Sequence, residues 1–395
     1  MTDTELLFIV LALVYGWECA CWVRRGSVLF VIWFGARWRI RHPGTLLGNQ
    51  QGGFVFAPPL PPLGTIFLGH QFPLSLSPEA ALAYVASSLN PGWRPVQSGN
   101  IARFDEMRVI DVKGRKVRVN GELLVKAPSA TLAAHLSELL RQLSKLDPAK
   151  RSGAIQELIR DSLDTKAIKR RCRQFHTPAL RLRMLTNSLF LYLFLFAPLL
   201  IWSFGLRQTW RGLLAGLLAF TITTAILFRR AHRNLYPSAE DERFTHFLTV
   251  LLSPATTMRA HDTLSRPLLE NFHPLAIAKV LCSRDQFHAF ARTVLRDIRH
   301  PGLPICPHDQ PLARATEQFS RDLWLRALEK FLKQSGIAPE ELTRPPEPAD
   351  ETCRSYCPRC LAQFTTDEGA CADCGGLALK RFSAGAAETK TTAAQ

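Results

Sequence analysis

The chain has 395 residues, with 49 Lys or Arg against 33 Asp or Glu, and its net charge is +16. Two neighbouring apolar runs, residues 185–206 and 213–228, contain no Asp, Glu, Lys, Arg or His. A helix in a soluble core normally keeps one polar face, so these runs argue against a soluble protein. Their length is close to what a helix needs to cross a bilayer. We therefore predict a membrane protein.

A third apolar run, residues 6–23, opens the chain, and we predict that it is a retained transmembrane signal-anchor. A cleaved signal would carry basic residues before its apolar part, whereas here they follow it. Glu18 is the ionisable residue inside this run, and we expect it to point toward the headgroups or to pair with Arg24. Residues 24–52 are predicted to form a basic interfacial segment. Its apolar stretch 28–36 is too short to span the membrane and is either interfacial or a straight continuation of the first helix.

The excess of Lys and Arg lies at the same side of all three runs. The side richer in these residues stays in the cytoplasm. We therefore predict a multi-pass protein of the cell inner membrane with its N-terminus outside. Residues 185–228 then form a helical hairpin with an external loop at 207–212, and both flanking blocks are cytoplasmic.

A dense basic patch precedes the hairpin in residues 166–184. Its members are Lys166, Lys169, Arg170, Arg171, Arg173, Arg181 and Arg183. Anionic lipid is the partner that this placement favours, because each basic residue near the surface adds about 1 kcal/mol of attraction. Nucleic acid is the less favoured alternative, since the patch lacks interleaved exposed aromatic residues on which bases could stack.

Residues 53–165 are predicted to form a small α+β cytosolic domain. Ser77 followed by Pro78 suits the start of a helix, so we predict a helix at residues 80–89. Asn120-Gly121 joins two β-rich runs and predicts a tight type I′ hairpin. The remaining predicted elements are strands at 108–113, 116–119 and 122–126, and helices at 130–145 and 155–163.

Three polar residues of the predicted strands, Asp111, Glu122 and Lys126, have a distribution that resembles the acidic and basic residues of metal-dependent nucleases. Their spacing does not match the usual Glu-x-Lys pair, and each alternates with apolar neighbours. Such alternation is typical of the solvated face of a half-buried strand. We therefore interpret them as surface residues and not as an active site.

Residues 229–343 are predicted to form an all-helical cytosolic domain. We expect the apolar stripe of its first helix to be buried, and that stripe consists of Phe244, Phe247, Leu248, Leu251 and Leu252. Further helices are predicted at 268–280, 285–298 and 312–334, the last ending before Gly336.

The dipeptide His261-Asp262 resembles the metal-binding pair of HD-type phosphohydrolases. That family also needs an upstream His and a downstream Asp on separate helices, for which His246, Asp285 and Asp297 are only loosely placed. A membrane-associated hydrolase with a His/Asp site in residues 237–336 is therefore the alternative function.

Two C-x₂-C pairs near the C-terminus predict a metal site. The four residues are Cys357, Cys360, Cys371 and Cys374. Two such pairs place four thiolates around a tetrahedral Zn²⁺, and residues 353–382 resemble a zinc ribbon. This resemblance implies a structural zinc ion, because four thiolates leave no coordination position open for water. Leu361 stands where ribbons often have glycine, and Cys353 is a spare thiol.

The predicted fold is thus a multi-domain α-helical membrane protein with three transmembrane helices, a small α+β domain, an all-α domain and a C-terminal zinc ribbon. A linker at 344–352 precedes the ribbon, and a disordered tail at 383–395 follows it. No nucleophile–base pair or glycine-rich phosphate loop is recognisable, so the sequence favours a membrane-anchored scaffold or adaptor over an enzyme. Protein partners are expected, and the small residues Gly212 and Gly216 could pack helices within the chain or between two copies.

Overall fold

The computed structural model describes residues 5, 9, 39–41, 53–57, 66–70, 74–86, 97–127, 129–237, 240–258, 260–300, 310–374 and 376–382. The predicted signal-anchor, apart from positions 5 and 9, lies outside these residues. Glu18, the stretch 28–36 and the tail 383–395 lie outside them as well. In the part that is described, the fold is mostly helical with small antiparallel sheets.

Three sheets of three strands each lie in the N-terminal half, and in each the strands follow chain order. They consist of β1 (Arg39–Arg41), β2 (Gly53–Ala57) and β3 (Ile66–His70); β4 (Leu74–Leu76), β5 (Ala80–Ala86) and β6 (Gln97–Arg103); and β7 (Ile110–Lys113), β8 (Lys116–Val119) and β9 (Glu122–Lys126). The third sheet confirms the predicted meander. Asn120 and Gly121 have φ of 53° and 87°, as a type I′ turn requires.

The predicted helix at 80–89 is wrong, because residues 80–86 form strand β5. The N–H of Ser77 donates to the carbonyl of Ala80 at 2.9 Å and closes a two-residue turn between β4 and β5. Pro78 fits this turn as well as it fits a helix start, since both need φ near −65°. The consecutive residues Ala81, Leu82 and Ala83 of β5 are fully buried, so both faces of this part of the strand are covered.

Helices make up most of the remaining chain. They are α1 (Ala130–Ser144), α2 (Pro148–Ser162), α3 (Thr165–Leu191), α4 (Ala197–Phe204), α5 (Leu206–Leu235), α6 (Glu240–Leu252), α7 (Pro254–Met258), α8 (Ala260–Ser265), α9 (Pro274–Leu281), α10 (Arg284–Arg299), α11 (Pro311–Gln334) and α12 (Pro339–Leu342). Short 3₁₀ turns occur at Phe104–Glu106, Arg266–Leu269 and Ala372–Cys374. The predicted helices 130–145, 285–298 and 312–334 are confirmed as α1, α10 and α11.

Two helices are long and apolar enough to cross a membrane, Arg181–Phe204 and Leu206–Leu235. The first contains a π-helical turn, Tyr192–Phe196, just before Pro198, which has no N–H for a regular helical hydrogen bond. Gly205, with φ of 76°, is the break between the two helices. The predicted loop at 207–212 is therefore wrong, since these residues already belong to α5.

Many of the outward side chains of this hairpin are apolar. Trp202 is 87 % exposed, and Leu199, Phe196 and Leu218 are also exposed on the hairpin surface. Soluble proteins rarely expose contiguous apolar patches of this kind. The hairpin therefore has the length and much of the exposed apolar surface expected of a candidate membrane span.

The segments before and after the apolar hairpin share one hydrophobic core. The same buried cluster contains Val117 of the third sheet, Leu136 of α1, Phe228 of α5 and Leu332 of α11. The hydroxyl oxygens of Ser77 and Thr316 lie 3.1 Å apart at a buried contact between the β4–β5 turn and α11. The helical segment therefore packs against the sheets and does not stand apart from them.

Helix α6 differs from its prediction. Phe247 and Leu251 pack against the core as expected, but Phe244, Leu248 and Leu252 are exposed. Two of the five residues predicted to be buried thus pack against the core, and the other three face outward.

Candidate metal centre

The C-terminal module is built from short strands. They are β10 (Ser355–Tyr356), β11 (Gln363–Phe364), β12 (Ala370–Cys371), β13 (Leu377–Ala378) and β14 (Lys380–Arg381). Strand β10 lies between β11 and β14, and β12 pairs with β13. One C-x₂-C pair follows β10 and the other begins at the end of β12, so the two hairpin ends bring the four cysteines together.

The four predicted metal ligands, Cys357, Cys360, Cys371 and Cys374, form a cluster whose sulfur atoms all lie within 4.8 Å of one another. The Sγ atoms of Cys360 and Cys371 are 3.7 Å apart. A tetrahedron with Zn–S bonds of about 2.3 Å has an S···S edge of about 3.8 Å. A disulfide, in contrast, needs sulfur atoms about 2 Å apart. The four side chains are free thiols in this structure and can hold a metal ion.

The surroundings of the sulfur atoms suit a thiolate cluster. Burial raises the pKa of the Cys357 thiol, but the N–H groups of Cys360 and Arg359 point at its sulfur, and the net pKa is lowered. Burial raises the pKa of Cys360 and also that of Cys374, to which neighbouring thiols contribute. The first thiolate is thus favoured by local N–H donors, whereas further thiolates in this cluster need a positive charge among them.

Two backbone positions shape the two cysteine turns. The N–H of Leu361 donates to the carbonyl of Cys357 at 2.9 Å, and the N–H of Gly376 donates to that of Cys371 at 2.9 Å. Both donors have positive φ, 63° for Leu361 and 78° for Gly376. Glycine adopts this conformation without cost, but a side chain such as that of Leu361 makes it unfavourable. Leu361, which stands where ribbons often have glycine, is therefore a strained residue in a turn that otherwise matches the ribbon pattern.

The module is docked on the helical core. Arg359, which lies between the first two cysteines, donates through Nε to Oδ1 of Asp297 on α10 at 2.8 Å. The linker also contacts the module, because the side chain of Gln363 accepts from the N–H of Ala349 and donates to the carbonyl of Glu347. The sequence offered no signal for these contacts, since neither Arg359 nor Asp297 differs locally from a surface charge.

The residues of the alternative hydrolase site have separate surroundings and do not form a metal-binding group among the described residues. His261 is buried, and its ring packs against Phe175 with centroids 5.6 Å apart. His246 packs instead against Phe228 and His232 on α5. Asp297 is held by Arg359. Among the described residues, the cysteine cluster is the group of His, Cys, Asp and Glu side chains close enough to share a metal ion.

The other candidate residues are on the surface. Asp285 lines a shallow depression of about 270 Å³ with Arg284, His288 and Arg292, all from α10. Asp111, Glu122 and Lys126 are exposed on their strands, as expected for a solvated face.

The structure divides the basic patch on α3. Lys166, Lys169, Arg170, Arg173 and Arg181 are exposed. Arg171 is partly covered and its guanidinium reaches the carbonyl of Leu268 at 3.5 Å, while Arg183 is buried. Five of the seven predicted basic residues are thus exposed.

The two glycines of α5 behave differently. A Cβ atom at Gly216 would lie 2.8 Å from Cζ of Tyr192, so this glycine lets α5 approach the π-helical turn within the same chain. Tyr192 completes the contact by donating to the carbonyl of Leu213 at 2.8 Å. Gly212 faces open space.

Comparison of the chain with protein-family models, with curated proteins and with solved structures returns no match.

Proposed function

We propose that this protein is a membrane-anchored scaffold or adaptor of the inner membrane, which presents cytosolic interaction surfaces and a structural zinc ribbon at the cytoplasmic face. In this proposal the N-terminal run is a further transmembrane helix, the N-terminus is outside and the Gly205 turn is external. Among the exposed basic residues of α3, Arg181 lies at the start of the apolar helix and binds anionic headgroups, which contributes about 1 kcal/mol. The residues from Lys166 to Arg173 lie about 12–22 Å farther from the membrane along the same helix, so their attraction is screened.

The observation that carries the proposal is the docking of the cysteine module on the core that also holds the hairpin. Phe228 of α5 and Val294 of α10 belong to the same buried cluster, and Asp297 of α10 holds Arg359 of the module. A module fixed in this way has a defined position relative to the membrane helices. A closed four-cysteine site is structural, so its role is to hold a binding surface and not to activate water.

Photo-crosslinking in intact membranes tests the adaptor function. A photoreactive residue replaces Thr365 or Ala378, which are exposed on the module, or Gln156, which is exposed on α2 and serves as the control position. We expect defined protein adducts from the module positions, and we expect these adducts to disappear when Cys360→Ser removes a metal ligand.

Three results would contradict the adaptor proposal. They are no adduct from either module position, adducts identical to those from Gln156, and adducts that contain nucleic acid instead of protein. Adducts that persist unchanged in the Cys360→Ser variant would separate the partner from the ribbon and would also count against it.

A further inference from the structure

The structure points to a membrane contact that the hairpin prediction does not include. Helices α6 and α7 follow the hairpin, and residues 244–258 contain no Asp, Glu, Lys or Arg. This segment is shorter than the roughly 20 residues that a helix needs to span a bilayer, and it is broken at Ser253-Pro254 between the two helices. A segment of this kind can enter a membrane and return to the same side.

Ring contacts fix the depth of α6 relative to α5. The ring of His246 lies 6.3 Å from that of Phe228, and the Arg229 guanidinium lies 5.3 Å from the centre of the Phe247 ring. The two helices are joined by a short connection and run antiparallel along one another. Leu252 is six residues beyond His246, so it lies about 9 Å farther along the hairpin, inside the apolar part of α5.

The exposed face of α6 carries apolar side chains, as the surface of the hairpin does. Phe244, Leu248 and Leu252 lie four residues apart on one side of α6 and are 62 %, 37 % and 76 % exposed. Ile222 and Ile226 of α5, each 45 % exposed, lie at the depth that the ring contacts assign to this part of α6. Exposed apolar side chains therefore lie on both helices at a similar depth.

Helix α7 is also at membrane depth. Met258 at its end is buried with Leu189, and Tyr192, Leu217 and Phe220 pack against this pair. Leu189 lies eight residues inside the apolar helix that starts at Arg181, which corresponds to about 12 Å. The bend between α6 and α7 thus packs against the inner part of the hairpin and not against its basic flank.

Several backbone groups of the bend are satisfied within the chain, as irregular backbone within a bilayer requires. The Thr257 hydroxyl donates to the carbonyl of Val250 at 2.5 Å, and the Ser253 hydroxyl accepts from the N–H of Thr256 at 3.3 Å. The N–H of Ser253 donates to the carbonyl of Thr249 at 3.1 Å. Pro254 has no N–H that would need a partner. Side-chain hydroxyls therefore replace the water that a surface bend would use.

We infer that α6 and α7 form a re-entrant element that inserts Leu248 and Leu252 into the hydrocarbon of the cytoplasmic leaflet, with Phe244 at the level of the headgroups. The partner of this face is the acyl-chain region of the lipid, because Leu248 and Leu252 lie at the depth of the exposed apolar residues of the hairpin. This inference rests on the proposed membrane location. It leaves the orientation unchanged, since the element enters and leaves on the same side.

Depth-dependent quenching in the full-length protein tests the inference. A fluorescent amino acid is placed at position 252, at position 222 as the transmembrane reference, or at position 109, since Val109 is 52 % exposed on the cytosolic sheet region. The protein is reconstituted in vesicles with nitroxide-labelled acyl chains. We expect position 252 to be quenched to within about twofold of position 222, whereas position 109 responds only to a water-soluble quencher.

The three positions separate the failure of this inference from that of the membrane proposal. Lipid quenching at 222 together with water quenching at 252 would overturn the re-entrant element alone. Protection of 252 from both quenchers would show that a protein surface covers it, and this would also overturn the inference. If 222 itself is quenched only from water, the membrane location fails and the inference fails with it.

Discussion

Arg359 and Asp297 form the charged contact between the cysteine module and helix α10, with Nε and Oδ1 at 2.8 Å. The two side chains are 32 % and 43 % exposed, so solvent screens the pair and only a modest stabilisation remains. Its position matters more than its strength. Arg359 stands between Cys357 and Cys360 of the cysteine cluster, so this hydrogen bond ties the first cysteine turn to the helical core.

We expect Arg359→Ala and Asp297→Ala each to loosen the docking of the module without loss of metal. A half-exposed pair contributes about 0.5–1 kcal/mol, which corresponds to a two- to fivefold rise in transient undocking. Limited proteolysis of the linker at 344–352 measures that rise, and the double variant should be no worse than either single variant.

Arg354→Ala is the matched control, because Arg354 pairs with Asp367 inside the module at 3.4 Å and makes no contact with α10 in the described structure. It should leave linker cleavage unchanged. Faster cleavage in this control, or none in the Arg359 and Asp297 variants, would show that the ion pair does not hold the module.

The purified protein is expected to contain about one Zn²⁺ per chain when no chelator is used, because four thiolates at tetrahedral spacing favour this ion. Cys360→Ser should lose the metal and unfold the module. Cys353→Ser should keep the metal, since Cys353 lies outside the four-cysteine cluster. Elemental analysis measures both variants, and a metal-free wild-type protein would refute the zinc assignment.

Leu361→Gly should strengthen metal binding by the module. The φ of Leu361 is 63°, and a residue with a side chain loses about 1–2 kcal/mol in this region of backbone space. Leu361→Ala removes the same side-chain contacts but keeps the unfavourable conformation. The glycine variant should therefore exceed the alanine variant by about 1 kcal/mol in a chelator competition, and equal affinities would contradict the strain argument.

Local chemistry explains which parts of the fold the sequence predicts well. The cysteine cluster and the Asn120-Gly121 hairpin depend on bonds and turn angles set by a few adjacent residues, and both occur where they were expected. The turn at Ser77-Pro78 was misassigned because its local signal suits two structures, and the burial of β5 on both faces decides between them.

The wrong prediction that the whole apolar stripe of α6 is buried has a different cause. Periodicity locates an apolar stripe but does not distinguish a protein core from lipid, so Leu252 was expected inside and is 76 % exposed. The docking of Arg359 on Asp297 depends on residues 62 positions apart, and a single sequence does not reveal such a contact.

Substitution of Asn120 by alanine should destabilise the third sheet more than substitution by glycine. Its Oδ1 accepts from the N–H groups of Arg108 and Val109 at 3.0 and 3.1 Å, and its Nδ2 donates to the carbonyl of Glu106 at 2.7 Å. Asn120→Ala loses these bonds and keeps an unfavourable φ, so we expect about 2 kcal/mol of lost stability.

Asn120→Gly loses the same hydrogen bonds but tolerates φ of 53°, so its cost should be smaller by about 1 kcal/mol. Chemical denaturation of the three proteins in detergent gives the order of stability. A glycine variant that is less stable than the alanine variant would mean that backbone conformation does not govern this turn.

The last prediction concerns His273, which caps the N-terminus of α9. Its Nδ1 accepts from the N–H of Leu275 at 3.1 Å, and its ring packs against Trp324 with centroids 5.0 Å apart. Burial lowers the pKa of His273 to about 3. Protonation at Nδ1 would remove the acceptor of the helix cap, so the folded state requires the neutral imidazole.

The low pKa of His273 makes the folded protein less stable in acid. The unfolded chain takes up a proton at this histidine near pH 6.5, while the folded protein does not until about pH 3. Stability should therefore be complete above pH 6.5 and should fall below it, by at most about 1.4 kcal/mol per pH unit from this group. His273→Asn supplies a cap acceptor that does not titrate. We expect the free energy of unfolding, measured in detergent between pH 7.5 and 5, to decline more steeply in the wild-type protein than in the variant. Parallel curves would show that the neutral His273 cap does not contribute to the acid sensitivity of the fold.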